Sequence, residues 1–133
     1  MESNLVDIVK DFLLVLACRI SSEELLRFYH PDVLQIEYPN TLTRNLTKRG
    51  LAELKAASDR GLQVLQKESY EIMNAYCYGN TVIVEVIWRA TLNIPLGTIS
   101  AGGEMKAYFA QFFEFDGERI IRQRNYDCFE PFT

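Results

Sequence analysis

The chain has 133 residues, of which 48% are hydrophobic and 24% charged, a size and composition that predict one globular domain over residues 1–133. Its formal net charge of −4 argues against a nucleic-acid binder or an anionic-membrane binder, because both favour a basic surface. The single histidine and three scattered cysteines form no clustered ligand set, so we predict no zinc site and interpret the thiols as buried and reduced. The apolar run 12–17 is too short for a membrane span and lacks a basic leader, so we expect a cytoplasmic protein.

The first half of the chain is predicted to be mainly helical. Apolar residues recur at helical spacing over 5–20, which predicts an amphipathic first helix. Ser21 and Glu24 then have the spacing of a capping box, which predicts a short second helix that a proline ends near residue 30. We expect a short strand over 33–37, then a polar loop, and a third helix whose apolar side runs over 51–65.

The second half alternates with the period of β-structure. It predicts four sequential strands over residues 68–78, 81–92, 105–115 and 119–129. Gly79-Asn80 and Asp116-Gly117 are turn signals between neighbouring strands, the second typical of a hairpin. Helices followed by hairpin-connected strands indicate an α+β domain with a mainly antiparallel sheet.

Both faces of the third long strand are apolar. Phe109 and Phe113 occupy one face, and Tyr108 and Phe112 occupy the other. An antiparallel sheet with one solvated face should alternate more cleanly, so we expect a second subunit to cover the outer face and form a homodimer. The alternative is an apolar outer face that stays thinly exposed.

Four stretches together resemble the SnoaL-like group of the nuclear transport factor fold, which is kin to polyketide cyclases, ketosteroid isomerases and limonene epoxide hydrolases. The stretches are His30–Val33, Trp88–Thr91, the strand and turn over 103–120, and Arg122–Pro131, which is similar to the D-Y-F-D-P ending of the family. The resemblance implies a cone-shaped, curved and mainly antiparallel sheet, as in cystatin-like folds, wrapped around the N-terminal helices with a pocket at its open end.

The resemblance also suggests catalytic residues. Asp127 and Glu130 fall at the two acidic positions of the closing motif. The isomerases place a general-base Asp just before a proline on the first strand, where this chain has Tyr38, so Glu37 could serve only if a bulge turned it inward. The epoxide hydrolases use an Arg and an Asp on the long strand, and residues 86–88 contain no such pair.

Strand alternation places the closing carboxylates on opposite faces. Asp127 shares a face with Asn125, and Glu130 lies on the other, but alternation does not say which face is inward. In an apolar cavity the pKa of Asp127 would rise, which suits acid–base catalysis. The alternative is that Asp127 pairs with Arg122 or Arg124 at the dimer surface.

Five further side chains are candidates for the pocket or its rim. Gln35 and Glu37 share one face of the short strand and point either inward or to solvent. Tyr29 and Tyr38 could each donate a hydrogen bond to a ligand carbonyl, or only to a backbone acceptor. Trp88 is expected to form a flat, apolar wall together with Val82, Val84 and Val86, which share its face of the strand.

Two classes of function remain open. The first is a cofactor-independent isomerase, cyclase or hydrolase that acts on an apolar small molecule through Asp127, Glu130 or Glu37. The second is a non-catalytic module of the same fold that binds a small ligand or dimerises. An accessory or transport role with a protein partner is a third possibility that the sequence does not test.

Overall fold

The computed structural model describes residues 4–133. Two α-helices and one 3₁₀ helix cover the N-terminal half, namely α1 (Leu5–Cys18), the 3₁₀ helix (Ser22–Phe28) and α2 (Leu51–Val64). Six strands follow or interleave with them, namely β1 (Tyr29–Glu37), β2 (Thr47–Arg49), β3 (Leu65–Tyr78), β4 (Thr81–Leu92), β5 (Glu104–Asp116) and β6 (Arg119–Phe129).

The helix beginnings follow from local hydrogen bonds. The Asn4 side chain caps α1 by accepting from the backbone amides of Val6, at 3.1 Å, and Asp7. The predicted capping box of Ser21 and Glu24 is confirmed, with the Glu24 carboxylate accepting from the Ser21 amide at 2.9 Å. The short second helix is a 3₁₀ helix that runs directly into β1.

The six strands form one sheet in the order β2-β1-β6-β5-β4-β3. All neighbours are antiparallel except β1 and β6, which pair in parallel. The predicted α+β class with a mainly antiparallel sheet is therefore confirmed. Gly79 and Gly117 adopt positive φ angles of 58° and 62° at the two predicted turns.

Strand β2 and the parallel pairing of β1 with β6 are not in the sequence prediction. A three-residue strand with no alternating run gives no periodic signal, and the sequence reads as loop there. The parallel pair joins segments almost ninety residues apart, so local pattern carries no information about it. These two pairings supply one wall of the candidate site.

The core lies between α1 and the inner face of the sheet. The Phe12 ring packs edge-on against Phe28, Tyr29 and Phe113, with centroids 5.4–5.8 Å apart. The β4 side chains that were predicted to share a face are all buried, and Val82, Val84, Val86 and Trp88 make up that set. Because the helices pack against this face, it is the inner face of the sheet.

The expectation of buried thiols is wrong. Cys18, Cys77 and Cys128 are all exposed and unpaired by disulfides. Cys18 ends α1, Cys77 lies at the hairpin end of β3, and Cys128 takes the outward position next to an inward residue of β6. Within residues 4–133, no helix is long and apolar enough to cross a membrane.

Candidate active site

A cavity of about 250 Å³ lies between the helices and the inner face of the sheet. Apolar side chains of the helical layer form its roof, with Phe12 and Leu16 from α1, Leu25 from the 3₁₀ helix and Leu54 from α2. Its floor is made by β1, β5 and β6, and this floor is polar. The cavity thus joins an apolar surface to a hydrogen-bonding surface.

The strand register produces the polar floor. In the parallel pair, Gln35 lies beside Gln123 and Glu37 lies beside Asn125. Across the antiparallel β5–β6 pair, Gln111 lies opposite Asn125. Because residues two apart on a strand share a face, all five side chains point to the same side of the sheet. Each is at least nine-tenths buried.

Glu37 is held by two donors. Its Oε1 accepts from Arg49 Nη1 at 2.7 Å and its Oε2 accepts from Asn40 Nδ2 at 2.9 Å. Arg49 comes from β2, where it pairs with Gln35, and it also donates to Gln35 Oε1 at 3.2 Å. One oxygen of Glu37 is therefore in a buried ion pair and the other accepts from a neutral amide, and the two bonds fix its position.

Asp127 differs from Glu37 because the protein leaves it without a partner. Its Oδ1 is buried and meets no hydrogen-bond donor among the described residues. Burial, reinforced by the negative charge of Glu37, raises the pKa of Asp127 to about 7, although the Arg49 guanidinium acts in the opposite direction. Asp127 therefore exchanges a proton near neutral pH.

A second ion pair lines the same cavity. Arg19 donates to Glu68 Oε2 at 3.2 Å and to Ser58 Oγ at 2.8 Å. The other oxygen of Glu68 accepts from the Tyr70 hydroxyl at 2.7 Å and from the Trp88 indole at 3.0 Å. Burial and the neighbouring Glu68 carboxylate raise the pKa of Tyr70 well above its usual value. Both oxygens of Glu68 are thus already bonded.

The family model of the SnoaL-like domain matches residues 17–123. The chain belongs to the SnoaL-like family. No curated protein sequence matches it.

Solved structures share the fold of this SnoaL-like chain. IdmH of Streptomyces antibioticus, a candidate polyketide cyclase, is 14% identical with a TM-score of 0.75, over 94% of this chain and 92% of that one. AclR of Streptomyces galilaeus, a candidate hydroxylase, is 10% identical with a TM-score of 0.75, over 92% and 74%. A protein of Catenulispora acidiphila with a ketosteroid isomerase-like fold is 15% identical with a TM-score of 0.71, over 90% and 84%. At these identities the likeness shows the fold alone.

Five of the residues singled out in the sequence of this SnoaL-like protein line the cavity. They are Tyr29, Gln35, Glu37, Asn125 and Asp127. Glu37 points inward without a bulge at its own position, because the irregularity of β1 lies earlier, between residues 29 and 34. The open alternative that Asp127 pairs with Arg122 or Arg124 is not what the structure shows.

The other three candidates lie elsewhere. Glu130 follows β6 on the outer side, where it is exposed and accepts from the Tyr108 hydroxyl at 2.7 Å. Tyr38 stacks on Tyr126 with ring centroids 4.5 Å apart, outside the cavity. Trp88 stands behind the cavity wall rather than in it. Glu130 and Tyr38 are therefore not placed to meet a ligand in this cavity.

The expected apolar character of the pocket needs a correction. Val84, Val86 and Trp88 do not line the cavity; the valines fill the core under α1, and Trp88 stacks against Phe109 at a centroid distance of 5.6 Å. Only Phe109 of that stack reaches the cavity. Helix α1 packs over β3 and β4, so the open end of the SnoaL-like cone is left mainly to the polar positions of β1, β5 and β6.

Several cavity residues escaped the sequence analysis. The sequence did indicate Gln111, because it is the one amide among the alternating residues of 107–115 that share the face of Phe109 and Phe113. Arg49 fell at the edge of a predicted loop, and Arg19 and Glu68 fell at element ends. Those three have no periodic signal, because their role depends on contacts with residues far away in the chain.

Proposed function

We propose that this SnoaL-like protein is a cofactor-independent acid–base enzyme that isomerises, cyclises or hydrates a small molecule. Asp127 is the group that moves the proton. The observation that carries the proposal is the position of Asp127 Oδ1, buried in the cavity without a donor and with a pKa of about 7. A catalytic acid or base works best when its pKa lies near the operating pH.

The other two carboxylates of the cavity are occupied by the protein. Glu37 accepts from Arg49 and Glu68 accepts from Arg19, so neither has a free oxygen to offer a substrate. Glu37 acts on the reaction through its charge, which raises the pKa of Asp127. With Glu37 and Glu68 held by arginines, Asp127 is the carboxyl of the cavity with an oxygen left to meet a substrate.

The reaction class comes from the chemistry that one carboxyl can perform. Removing a proton next to a carbonyl and returning it elsewhere is an isomerisation, and the same removal can start an intramolecular ring closure. A candidate polyketide cyclase shares the fold, which agrees with this class. Epoxide opening by an Arg–Asp pair on the long strand is disfavoured, because residues 86–88 are Val, Ile and Trp.

Proton exchange into a model ketone tests the proposal. With 2-tetralone in D₂O, NMR should show protein-dependent loss of the signals of the protons next to the carbonyl. The rate should change with pH around a midpoint near 7, rising with pH if Asp127 acts as a base and falling if it acts as an acid. Asp127→Asn should abolish the exchange, and Glu130→Gln, outside the cavity, should retain it. Exchange that survives Asp127→Asn would refute the role of Asp127.

A non-catalytic ligand-binding module is the second candidate. It is favoured by the outward position of Tyr38, at the place where the isomerases carry their base, and by the missing Arg–Asp pair. A small molecule that binds in the cavity with no proton exchange, at any pH from 5 to 9, would support this function over the enzyme.

We also propose that the outer sheet face forms a homodimer. Met73, Tyr108 and Tyr126 are 52%, 43% and 40% exposed and border a depression of about 490 Å³. Large exposed apolar side chains grouped on one sheet face are typical of a protein–protein interface, and the same face on a second copy is the occupant we propose.

Sedimentation at micromolar concentration tests the dimer. The wild type should sediment as a dimer, and Tyr126→Glu should shift it to a monomer, since two copies of the new charge would be brought together. Leu14→Glu, which adds the same charge at an exposed position of α1, is the matched surface control. A wild type that stays monomeric at these concentrations would remove the proposal.

A further inference from the structure

We infer that the ligand of the cavity is a neutral, hydroxylated ring compound whose hydroxyl groups donate to the side-chain oxygens of Gln111 and Gln123. The inference concerns the same cavity as the proposed function and rests on it for the location of the ligand. Gln111 and Gln123 are only 5% and 3% exposed, yet neither Oε1 receives a hydrogen bond from any described residue. Buried acceptors are almost always paired in proteins, so two in one cavity require an explanation.

The orientation of Gln123 is set by its neighbour. Its Nε2 donates to Asn125 Oδ1 at 2.9 Å, which leaves Oε1 as the free end of the amide. Gln111 lies directly opposite Asn125 and therefore diagonal to Gln123, on the same face of the β5–β6 pair. Diagonal neighbours of this kind lie roughly 7–8 Å apart, a separation that one ring with two hydroxyl groups can bridge.

The charges around the cavity favour a neutral donor. Arg19 and Arg49 line it, but each is already paired with a carboxylate, Glu68 and Glu37 respectively. Neither pair therefore leaves a free charge to bind an ionic ligand. A hydroxyl group supplies the donor that an amide oxygen lacks and adds no charge.

The apolar surfaces suit the body of such a ligand. Phe12 forms part of the roof, and Phe109 and Tyr70 line the cavity beside the floor. A ring placed between these surfaces would hold its edge hydroxyls against the amide oxygens. Asp127 stands next along β6, two residues beyond Asn125, where it can reach a carbon or oxygen of the same ring system.

Titration calorimetry with two matched probes tests the inference. Resorcinol carries two hydroxyl groups on one ring, and 1,3-dimethoxybenzene keeps the ring and its oxygens but has no donor. The wild type should bind resorcinol at least tenfold more tightly. Gln111→Met should reduce that preference below threefold, and Glu130→Gln, which lies outside the cavity, should keep it.

The melting temperature of ligand-free Gln111→Met separates a ligand-binding role of Gln111 from a structural one. Replacing an unpaired buried acceptor by an apolar side chain of similar shape is close to neutral or stabilising, so the melting temperature of Gln111→Met should not fall. A clear fall would mean that Gln111 is a structural hydrogen-bonding residue, and it would overturn the inference. Gln111→Leu provides the same test if the methionine variant does not fold.

The remaining outcomes are equally decisive. Equal affinity for the two probes, no measurable binding of resorcinol, or a preference that survives both Gln111→Met and Gln123→Met would each overturn the inference. Binding is measured here without turnover, so a failure of Asp127-dependent proton exchange would refute the proposed function and leave this result standing. Loss of the hydroxyl preference alone would refute only the ligand class.

Discussion

Replacing Asp127 by Asn should stabilise the protein, and the gain should depend on pH. Burial raises the pKa of Asp127 from its usual value of 3.8 to about 7 in the folded chain. At about 1.4 kcal/mol per pH unit, this difference corresponds to about 4 kcal/mol of free energy of unfolding, as an order of magnitude. Asparagine keeps the shape of the side chain and removes the charge whose burial is costly.

The direction of the pH dependence follows from the two pKa values. Below pH 3.8 the Asp127 carboxyl is protonated in both the folded and the unfolded chain, so the wild type has no penalty. Between pH 4 and pH 7 the unfolded chain releases this proton and the folded chain retains it, so the free energy of unfolding of the wild type falls as the pH rises. Above pH 7 the carboxyl is ionised in both states and the penalty stays constant.

Urea unfolding from pH 4 to pH 8 measures this effect. The difference in free energy of unfolding between Asp127→Asn and the wild type should grow by about 4 kcal/mol over that range. Glu130→Gln removes an exposed carboxylate three residues away and should not reproduce the growth. A difference that stays flat with pH, or an Asn variant that is less stable than the wild type at pH 8, would show that Asp127 is not desolvated in the cavity.

Four further variants test the electrostatics and the backbone of the same molecule. Glu37→Gln should lower the pKa of Asp127 and Arg49→Met should raise it, because Glu37 raises that pKa and Arg49 lowers it. Carboxyl NMR titration of each variant measures the shift. Shifts of the two variants in the same direction would contradict this assignment of charges. Gly97→Ala should cost about 2–4 kcal/mol of stability, because a Cβ there would lie 1.7 Å from a carbonyl oxygen of the C-terminal segment and φ is +57°. Gly102→Ala, with a similar φ of +83° but open space around it, should cost only about 1 kcal/mol, and equal melting temperatures for the two variants would refute the steric explanation.

The sequence pattern by itself determined the class of the fold and which residues share a face of each long strand. The four long strands, their turns and the N-terminal amphipathic helix come from apolar periodicity and from Gly-containing turns, which are local properties. Alternation also grouped Asp127 with Asn125 and separated it from Glu130. These results required no knowledge of distant residues, because the repeat of a strand or helix is set by its own backbone.

Tertiary structure decided which of those faces is the inside and what the cavity contains. The packing of α1 over β3 and β4 makes the face that carries Asp127 the inner one and leaves Cys128 and Glu130 outside. The parallel pairing of β1 with β6 brought Glu37 beside Asn125, close enough for its charge to act on Asp127, and the short β2 added Arg49. Burial and charge at a carboxyl depend on neighbours in space, and here those neighbours are up to ninety residues away in the chain.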